Sequence, residues 1–290
     1  MAKIAQSRGA IVEKIEVGTG EVIDPEVLRA RLAQDTEKKI KIVTLTQSET
    51  STGATNDVKT LCQIIREHGA LSVVDGVTSV CAMECRPDEW GIDVLVSGSQ
   101  KGFMIPPGLA FLTASERAWK VYEECKHPSF YWDWAAYKKS VQGNSTPFTP
   151  AVNLFVGLDK ALEMIKAEGI DNMNARHKRH SMALRNAVRA IGLELVVKED
   201  KNASHSITSI LPPEGISVPD IRKVMKEDFD IVVANGQNAL KDKIFRMGTL
   251  GFVCDRDLIS AVGALEASLY KLGYDFELGK GVATVIRELK

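Results

Sequence analysis

Residues 92–109 read IDVLVSGSQKGFMIPPGL. An apolar run from Ile92 to Val96 carries one charge, Asp93, and stops at Ser-Gly-Ser-Gln; Lys101 and then a double proline follow. The run is short and continuous rather than alternating, as in a strand covered on both faces. Three runs of the same kind surround it: IKIVTLT (40–46), ALSVVD (70–75) and LAFLTA (109–114). Helical patterns lie between them. PEVLRARLAQD (25–35) has Pro25 in its first turn. Asn56 is the expected cap of a helix that turns Val58, Leu61, Cys62 and Ile65 inward, and Ser115 caps ERAWKVYEEC (116–125). Upstream, Ala5 to Ser7 read as a helix end stopped by Gly9, and AIVEKIEV (10–17) as a strand. Alternating strands and helices predict an α/β unit on a mostly parallel sheet with both faces covered.

In such sheets ligands meet the carboxyl ends of the strands. The segments TQSETSTG (46–53), DGVTS (75–79) and SGSQK (97–101) should therefore share one rim. After a proline-rich bend, STPFTPAV (145–152), the pattern changes. One helix runs through Leu154, Leu158, Ala161, Leu162 and Ile165, and a second covers about 171–191. Short strands are expected at 193–197, 206–212, 230–236 and 243–251, with helices at 218–228 and 255–273, the last stopped by Gly273. This reads as a smaller α+β domain over 151–290, following a large domain over 1–150.

A net charge of −1 gives no electrostatic case for nucleic acid or an anionic membrane, and no stretch approaches the roughly 20 apolar residues of a membrane span. The basic cluster RHKRH (176–180) reads as a solvated helix face. The five cysteines are irregularly spaced, which suggests reduced thiols in a cytoplasmic protein, and no histidine falls at metal-ligand spacing.

Lys101 admits two readings: a lysine snorkelling into water from a strand end, or an amine that condenses with a carbonyl. A Walker loop is excluded, because glycine does not precede the lysine. Asp75 stands 26 residues earlier, at the end of LSVV, where it either caps a turn or does chemistry. Pyridoxal 5'-phosphate (PLP) needs such a pair. A lysine holds its aldehyde carbon, and a carboxylate keeps its ring nitrogen protonated, so that the ring takes up electrons.

VVDGVTS, the interval to SGSQK, and PPGLAFL together resemble the class V aminotransferases of fold type I, in particular the alanine–glyoxylate and serine–glyoxylate (serine–pyruvate) branch. TQSETSTG is similar to the family's loop on the same rim, and FRMGTLG to its late strand carrying an arginine. The resemblance covers essentially the whole chain. It implies a PLP-dependent homodimer that moves an amino group from serine or alanine to glyoxylate or pyruvate. Lys101 would be the Schiff-base lysine and proton shuttle. Asp75 would pair with the ring nitrogen, Val77 pack on a ring face, and Thr50 bond near the ring's 3-oxygen. Gln100, ahead of Ser99, would reach the phosphate. Thr149 or Thr146 would reach the partner subunit's phosphate. Arg246 sits alone in an apolar strand and needs an anion, either the substrate carboxylate held in a bidentate fork or a structural salt bridge. The aromatic stretch HPSFYWDWAAY (127–137) is expected in core or dimer packing.

The family's glycine-rich phosphate loop and stacking aromatic ring are not found; GTG (18–20) reads as a surface turn. The chain is thus expected to begin inside the large domain and to hold the phosphate weakly. Two rival readings stand beside transamination. A cysteine desulfurase would place histidine where Gln100 stands and would need a mobile thiol, for which Cys254 is the candidate. A non-catalytic subunit would use the same fold without chemistry. A hydrogenase-subunit label, carried by some relatives, finds no nickel or iron–sulfur ligand pattern among these cysteines.

Overall fold

Pro25 opens a helix because its missing N–H costs nothing there, and Asp24 accepts the amide of Glu26. The apolar runs downstream pair as strands. In the computed structural model, which describes residues 1–125 and 129–290, the first half runs α1 (Ala2–Ser7), α2 (Pro25–Ala33), β1 (Ile42–Thr46), the small hairpin β2 (Ser48–Glu49) and β3 (Ala54–Thr55), α3 (Val58–His68), β4 (Leu71–Asp75), α4 (Pro87–Trp90), β5 (Val94–Gly98), β6 (Ala110–Ala114), α5 (Glu116–Glu123) and α6 (Trp134–Gln142). The main sheet has the order β1-β4-β5-β6. β1, β4 and β5 are parallel, and β6 is antiparallel to β5. Register aligns Thr46 with Asp75 and Asp75 with Val96, so three strands end on one rim. This is the expected mostly parallel α/β sheet. Its central strands are the best covered, while Ile42 and Leu112 on the outer strands remain 54% and 44% exposed.

Leu28 and Leu32 of α2 and Leu61, Ile64 and Ile65 of α3 pack on Val43 and Leu45 of β1. The α3 cap is Asp57, whose carboxylate accepts the amide of Thr60; the expected cap, Asn56, instead donates to Thr46 O and accepts from Ile23 N–H. Residues 10–17 form no strand, and Ile11 is fully exposed. Their alternation lacks a neighbouring strand to complete a ladder, and Glu13 pairs with Arg31 of α2 instead.

The second half runs α7 (Val152–Glu168), α8 (Ile170–Ala190), β7 (Ile207–Ile210), α9 (Val218–Phe229), β8 (Ala234–Asn235), β9 (Phe245–Gly248), α10 (Asp255–Lys271) and α11 (Lys280–Glu288). Its sheet, β7-β9-β8, is antiparallel. A core of Leu184, Val188, Ile210, Ile221, Phe245 and Leu265 joins α8, α9 and α10 to this sheet. The segment 193–197 makes only a bridge, Leu195 to Ile210, and 230–236 pairs only at its end, because Asp230 turns left-handed to stop α9. The last helix, α11, had no counterpart in the sequence reading. Its first amides, Gly281 and Val282, and that of Gly279 are all accepted by Glu266, a buried carboxylate on α10. The cap is thus remote in sequence.

α8 joins the two halves. Near its start Met173 packs with Cys81, Ile165, Phe103 and Met104; near its end Ala183, Leu184 and Ala187 enter the second core. Among the described residues no helix is long and apolar enough to cross a membrane.

Candidate active site

Parallel pairing brings the carboxyl ends of neighbouring strands within about 4.8 Å of one another. Asp75 is the last residue of β4 and lies opposite Val96 of β5, five residues before Lys101. Gln47 N–H, just past β1, donates to Asp75 O at 3.0 Å. The segments after β1, β4 and β5 therefore meet on the rim.

Asp75 is half-buried, and one carboxylate oxygen accepts the N–H of Val77 at 3.0 Å. This is the turn-capping role, and it uses one oxygen only. The other has no partner among the described residues. Lys101 is also half-buried, and among the described residues its ammonium makes neither ion pair nor hydrogen bond.

The lysine turn is tightly built. A side chain at Gly102 would collide with the Val80 carbonyl and come within 2.8 Å of Cys81 Cβ, so the turn docks directly on the 76–82 segment. Cys81 and Met104, on either side of that contact, both hold positive φ (67° and 62°). Left-handed backbone at such residues costs about 1–3 kcal/mol and persists only where packing enforces it. Burial pushes the Cys81 thiol up to about 11, so it is a packing group rather than a nucleophile.

Ser99 departs from expectation. It is fully buried; its hydroxyl donates to Pro106 O at 2.8 Å and accepts from Leu109 N–H at 3.1 Å. It closes the 99–109 loop and presents nothing to a phosphate. Gln100, its neighbour, is exposed. Val77 is half-buried beside Asp75. Thr50 lies in the β2–β3 turn, and its hydroxyl donates to Thr78 at 3.4 Å. Thr78, which the sequence reading did not single out, passes its own hydroxyl proton to Ser48 O at 2.8 Å, and its carbonyl accepts from Ser206. It ties the two rim loops to the second half; the only hint was its place three residues after Asp75.

Arg246 stands on β9, 6% exposed. Its Nε donates to Asn235 O at 2.8 Å and its Nη1 to Thr50 O at 2.6 Å. Among the described residues it forms no ion pair, and its Nη2 edge has no acceptor. The structural salt bridge is therefore not made. Burial weakens the guanidinium's hold on its proton, with Glu49 opposing. Thr50 O thus connects Arg246 to the rim that carries Asp75 and Lys101.

Thr146 turns its hydroxyl back to Phe148 O at 2.6 Å, whereas Thr149 is exposed. Of the aromatic stretch, His127 and Pro128 lie outside the described residues; Phe130 and Trp132 are 88% and 65% exposed, so this stretch is not core. Among the described residues no three His, Cys, Asp or Glu side chains gather as a metal site.

Known proteins are similar to this chain in sequence and fold. A protein of Synechococcus sp. (strain PCC 6716) called soluble hydrogenase, small subunit, is 46% identical over 289 residues, covering 99% of this chain and 75% of that protein. The serine–glyoxylate aminotransferase of Arabidopsis thaliana is 35% identical over 275 residues, covering 94% of this chain and 69% of that one. Among solved structures, ureidoglycine–glyoxylate aminotransferase from Bacillus subtilis superposes with a TM-score of 0.92 at 29% identity, covering 99% of this chain and 74% of that one. Alanine–glyoxylate aminotransferase from Nostoc sp. gives 0.87 at 30% identity, covering 92% and 71%. These proteins share the fold type I architecture, and the aminotransferase class-V family model matches residues 1–269. With its rim, its lysine turn and its late arginine strand, the chain belongs to the class V aminotransferases, an enzyme family whose chemistry implies pyridoxal phosphate.

Proposed function

We propose that this chain is a cytoplasmic, homodimeric, PLP-dependent transaminase that moves an amino group from serine or alanine to glyoxylate or pyruvate. The observation that carries the reading is Arg246. A buried guanidinium bound only to carbonyls, with one edge free, calls for an anion, and a planar fork suits a carboxylate. The names of the similar glyoxylate aminotransferases supply the substrate class. Subunits of a soluble hydrogenase are named among the relatives as well, and that name describes those proteins.

The residues fit the cofactor. Among the described residues Lys101 has a half-buried amine without a competing carboxylate, and Asp75 has an oxygen left over from its turn. Bound there, PLP supplies an aldehyde for the amino group and a ring that accepts the electron pair released at the α-carbon. Lys101 would hold the cofactor's aldehyde carbon and, once its amine is free, would take the α-carbon proton as general base and give it back as general acid. Asp75 would keep the ring nitrogen protonated. Val77 would pack on the ring, and Thr50 would bond near its 3-oxygen. Gln100 and, from the partner subunit's side, Thr149 would serve the phosphate. Arg246 holds the substrate carboxylate so that one face of the α-carbon turns to Lys101. A large cofactor domain over 1–150 and a small domain over 151–290 belong to the same reading, with α7 packed back on the first through Ile165 and Cys81.

The test uses purified protein with excess PLP. Once unbound PLP is dialysed away, an absorbance band of the lysine Schiff base, distinct from that of free PLP, should remain, and vanish in Lys101→Ala. Serine or alanine should then lose its amino group to glyoxylate. Absence of the band, or a band with no transfer from either donor, refutes the reading. Sulfide release from cysteine would favour a desulfurase instead; against that, Cys254 is tied down as the cap of α10, its N–H donating to Asp257 at 2.9 Å.

A further inference from the structure

The basic stretch RHKRH is a solvated face only at Lys178 and Arg179; its other three residues turn inward. His177 and His180 are fully buried, and Arg176 spends its guanidinium inside the protein. The residues they reach lie in the loop that leaves β9 just after Arg246.

Gly251 N–H donates to His177 Nε2 at 2.9 Å, while His177 Nδ1 faces Met173 O at 2.7 Å. A carbonyl has no proton to give, so Nδ1 carries the hydrogen and Nε2 is the bare acceptor. Arg176 Nη1 donates to Gly251 O at 3.0 Å and Val253 O at 3.1 Å, and its Nε and Nη2 fork onto Glu168 of α7 at 2.6 and 3.0 Å. One helical turn on, His180 and Arg179 hold Asp255 at 2.7 and 2.8 Å. The loop so gripped lies on the lysine turn. Gly251 has φ +88°, and a side chain there would meet Lys101 O at 3.5 Å and Met104 Cγ at 3.6 Å. Met173, the acceptor of His177, packs against Met104 and Phe103 on the turn's other side.

We propose that His177 and Arg176 are positioning residues that clamp the Thr249–Val253 loop onto the Lys101 turn and thereby fix Arg246 relative to the lysine amine. The inference rests on the roles given above to Lys101 and Arg246. It adds that the spacing between carboxylate grip and amine is set from α8, by a neutral imidazole whose tautomer is locked. Glu168, Arg176 and His180 are the charged or titratable groups around that ring, with His205 beyond them. A ring protonated on both nitrogens would face the Gly251 N–H with another N–H and open the loop.

The experiment compares His177→Leu, which keeps bulk but loses the acceptor, with His177→Gln, whose carbonyl oxygen replaces Nε2. Amide exchange of cofactor-free protein is followed in peptides covering 249–254 and 101–105. Leu should speed exchange in both by about tenfold, the factor for losing one net hydrogen bond of about 1.4 kcal/mol, and Gln should restore protection. In loaded enzyme, Leu should raise KM for the amino donor by a similar factor, with kcat per bound cofactor falling less. Arg176→Gln, at a half-buried position, should act in the same direction and covers the case in which Leu fails to fold. A structural role alone would lower Tm but leave KM and the exchange of 101–105 unchanged, and that result overturns the proposal. If the parent protein binds no PLP, the reading of Lys101 falls, while the exchange data still decide whether the clamp exists.

Discussion

The two ends of β5 carry opposite kinds of charge, treated in opposite ways. At the entry end, Asp93 is 1% exposed, and every approach to its carboxylate is filled. Ser72 N–H donates at 3.0 Å, Ser115 Oγ at 2.9 Å and Arg117 Nη1 at 3.3 Å, while Asp93's own N–H goes to Ser72 Oγ. Arg117 also binds the carbonyls of Gly69 and Ala70. At the exit end, Lys101 has no partner among the described residues, Asp75 has one, and Arg246 has only carbonyls. A buried charge is costly unless paired, so a charge with its partners in place holds the sheet together, and on our proposal the groups at the exit end are left for a ligand. The same strand shows both.

Lys101→Ala should break the contrast most. Amino transfer should fall by at least about a thousandfold, since proton transfer by a placed group is itself worth 10²–10⁴, while urea unfolding stays close to the parent's. At the other end, Asp93→Ala should cost about 3–5 kcal/mol of stability by removing the buried carboxylate to which Ser72, Ser115 and Arg117 all donate, measured by urea titration, with transfer per folded site unchanged. If Asp93→Ala lost activity at full stability, the division of labour would be wrong.

The clamp supplies the next largest effect. Burial holds His177 down at about 4, against an ordinary value near 6.5. Its unfolded form therefore binds the proton first. The stabilising contribution is full above pH 6.5 and is lost as pH falls toward 4, by roughly 3 kcal/mol in total. His205, also held at about 4 by burial, acts in the same sense. Unfolding curves between pH 7 and 4 should show a shallower loss in His177→Gln than in the parent. Arg246→Met gives the sharpest test. Losing the hydrogen bonds to Asn235 O and Thr50 O should lower Tm only modestly, while KM for the amino donor rises about ten- to a hundredfold with the loss of a charge-assisted pair. A lower Tm with KM unchanged would mean that Arg246 is a structural group.

Much of this was legible in the chain. Short apolar runs that stop at polar turns gave β1, β4, β5 and β6 within a residue or two, because strand character is local. Once those strands are parallel, their ends share a rim, and the segments that carry Asp75 and Lys101 fall on it. Ser115 was likewise visible as a cap, since it binds an amide three residues on. The failures concern groups whose partners are set by how a loop or segment folds back and not by local pattern. Ser99 looked like a phosphate ligand beside the lysine, yet its hydroxyl is consumed by Pro106 and Leu109. AIVEKIEV alternates as a strand does, but alternation cannot supply the neighbour that a ladder requires.

Sequence by itself determined the mostly parallel sheet and the rim on which the segments of Asp75 and Lys101 lie, since strand character is local and parallel strands end on one side. Tertiary structure alone decided that Arg246 has carbonyls but no carboxylate among the described residues, that Glu266 caps α11, and that Arg176 and His177 turn inward onto the loop above Lys101. A side chain's chemistry is written at its own position; whether its charge or hydrogen bond is satisfied depends on segments that only the folded chain brings beside it.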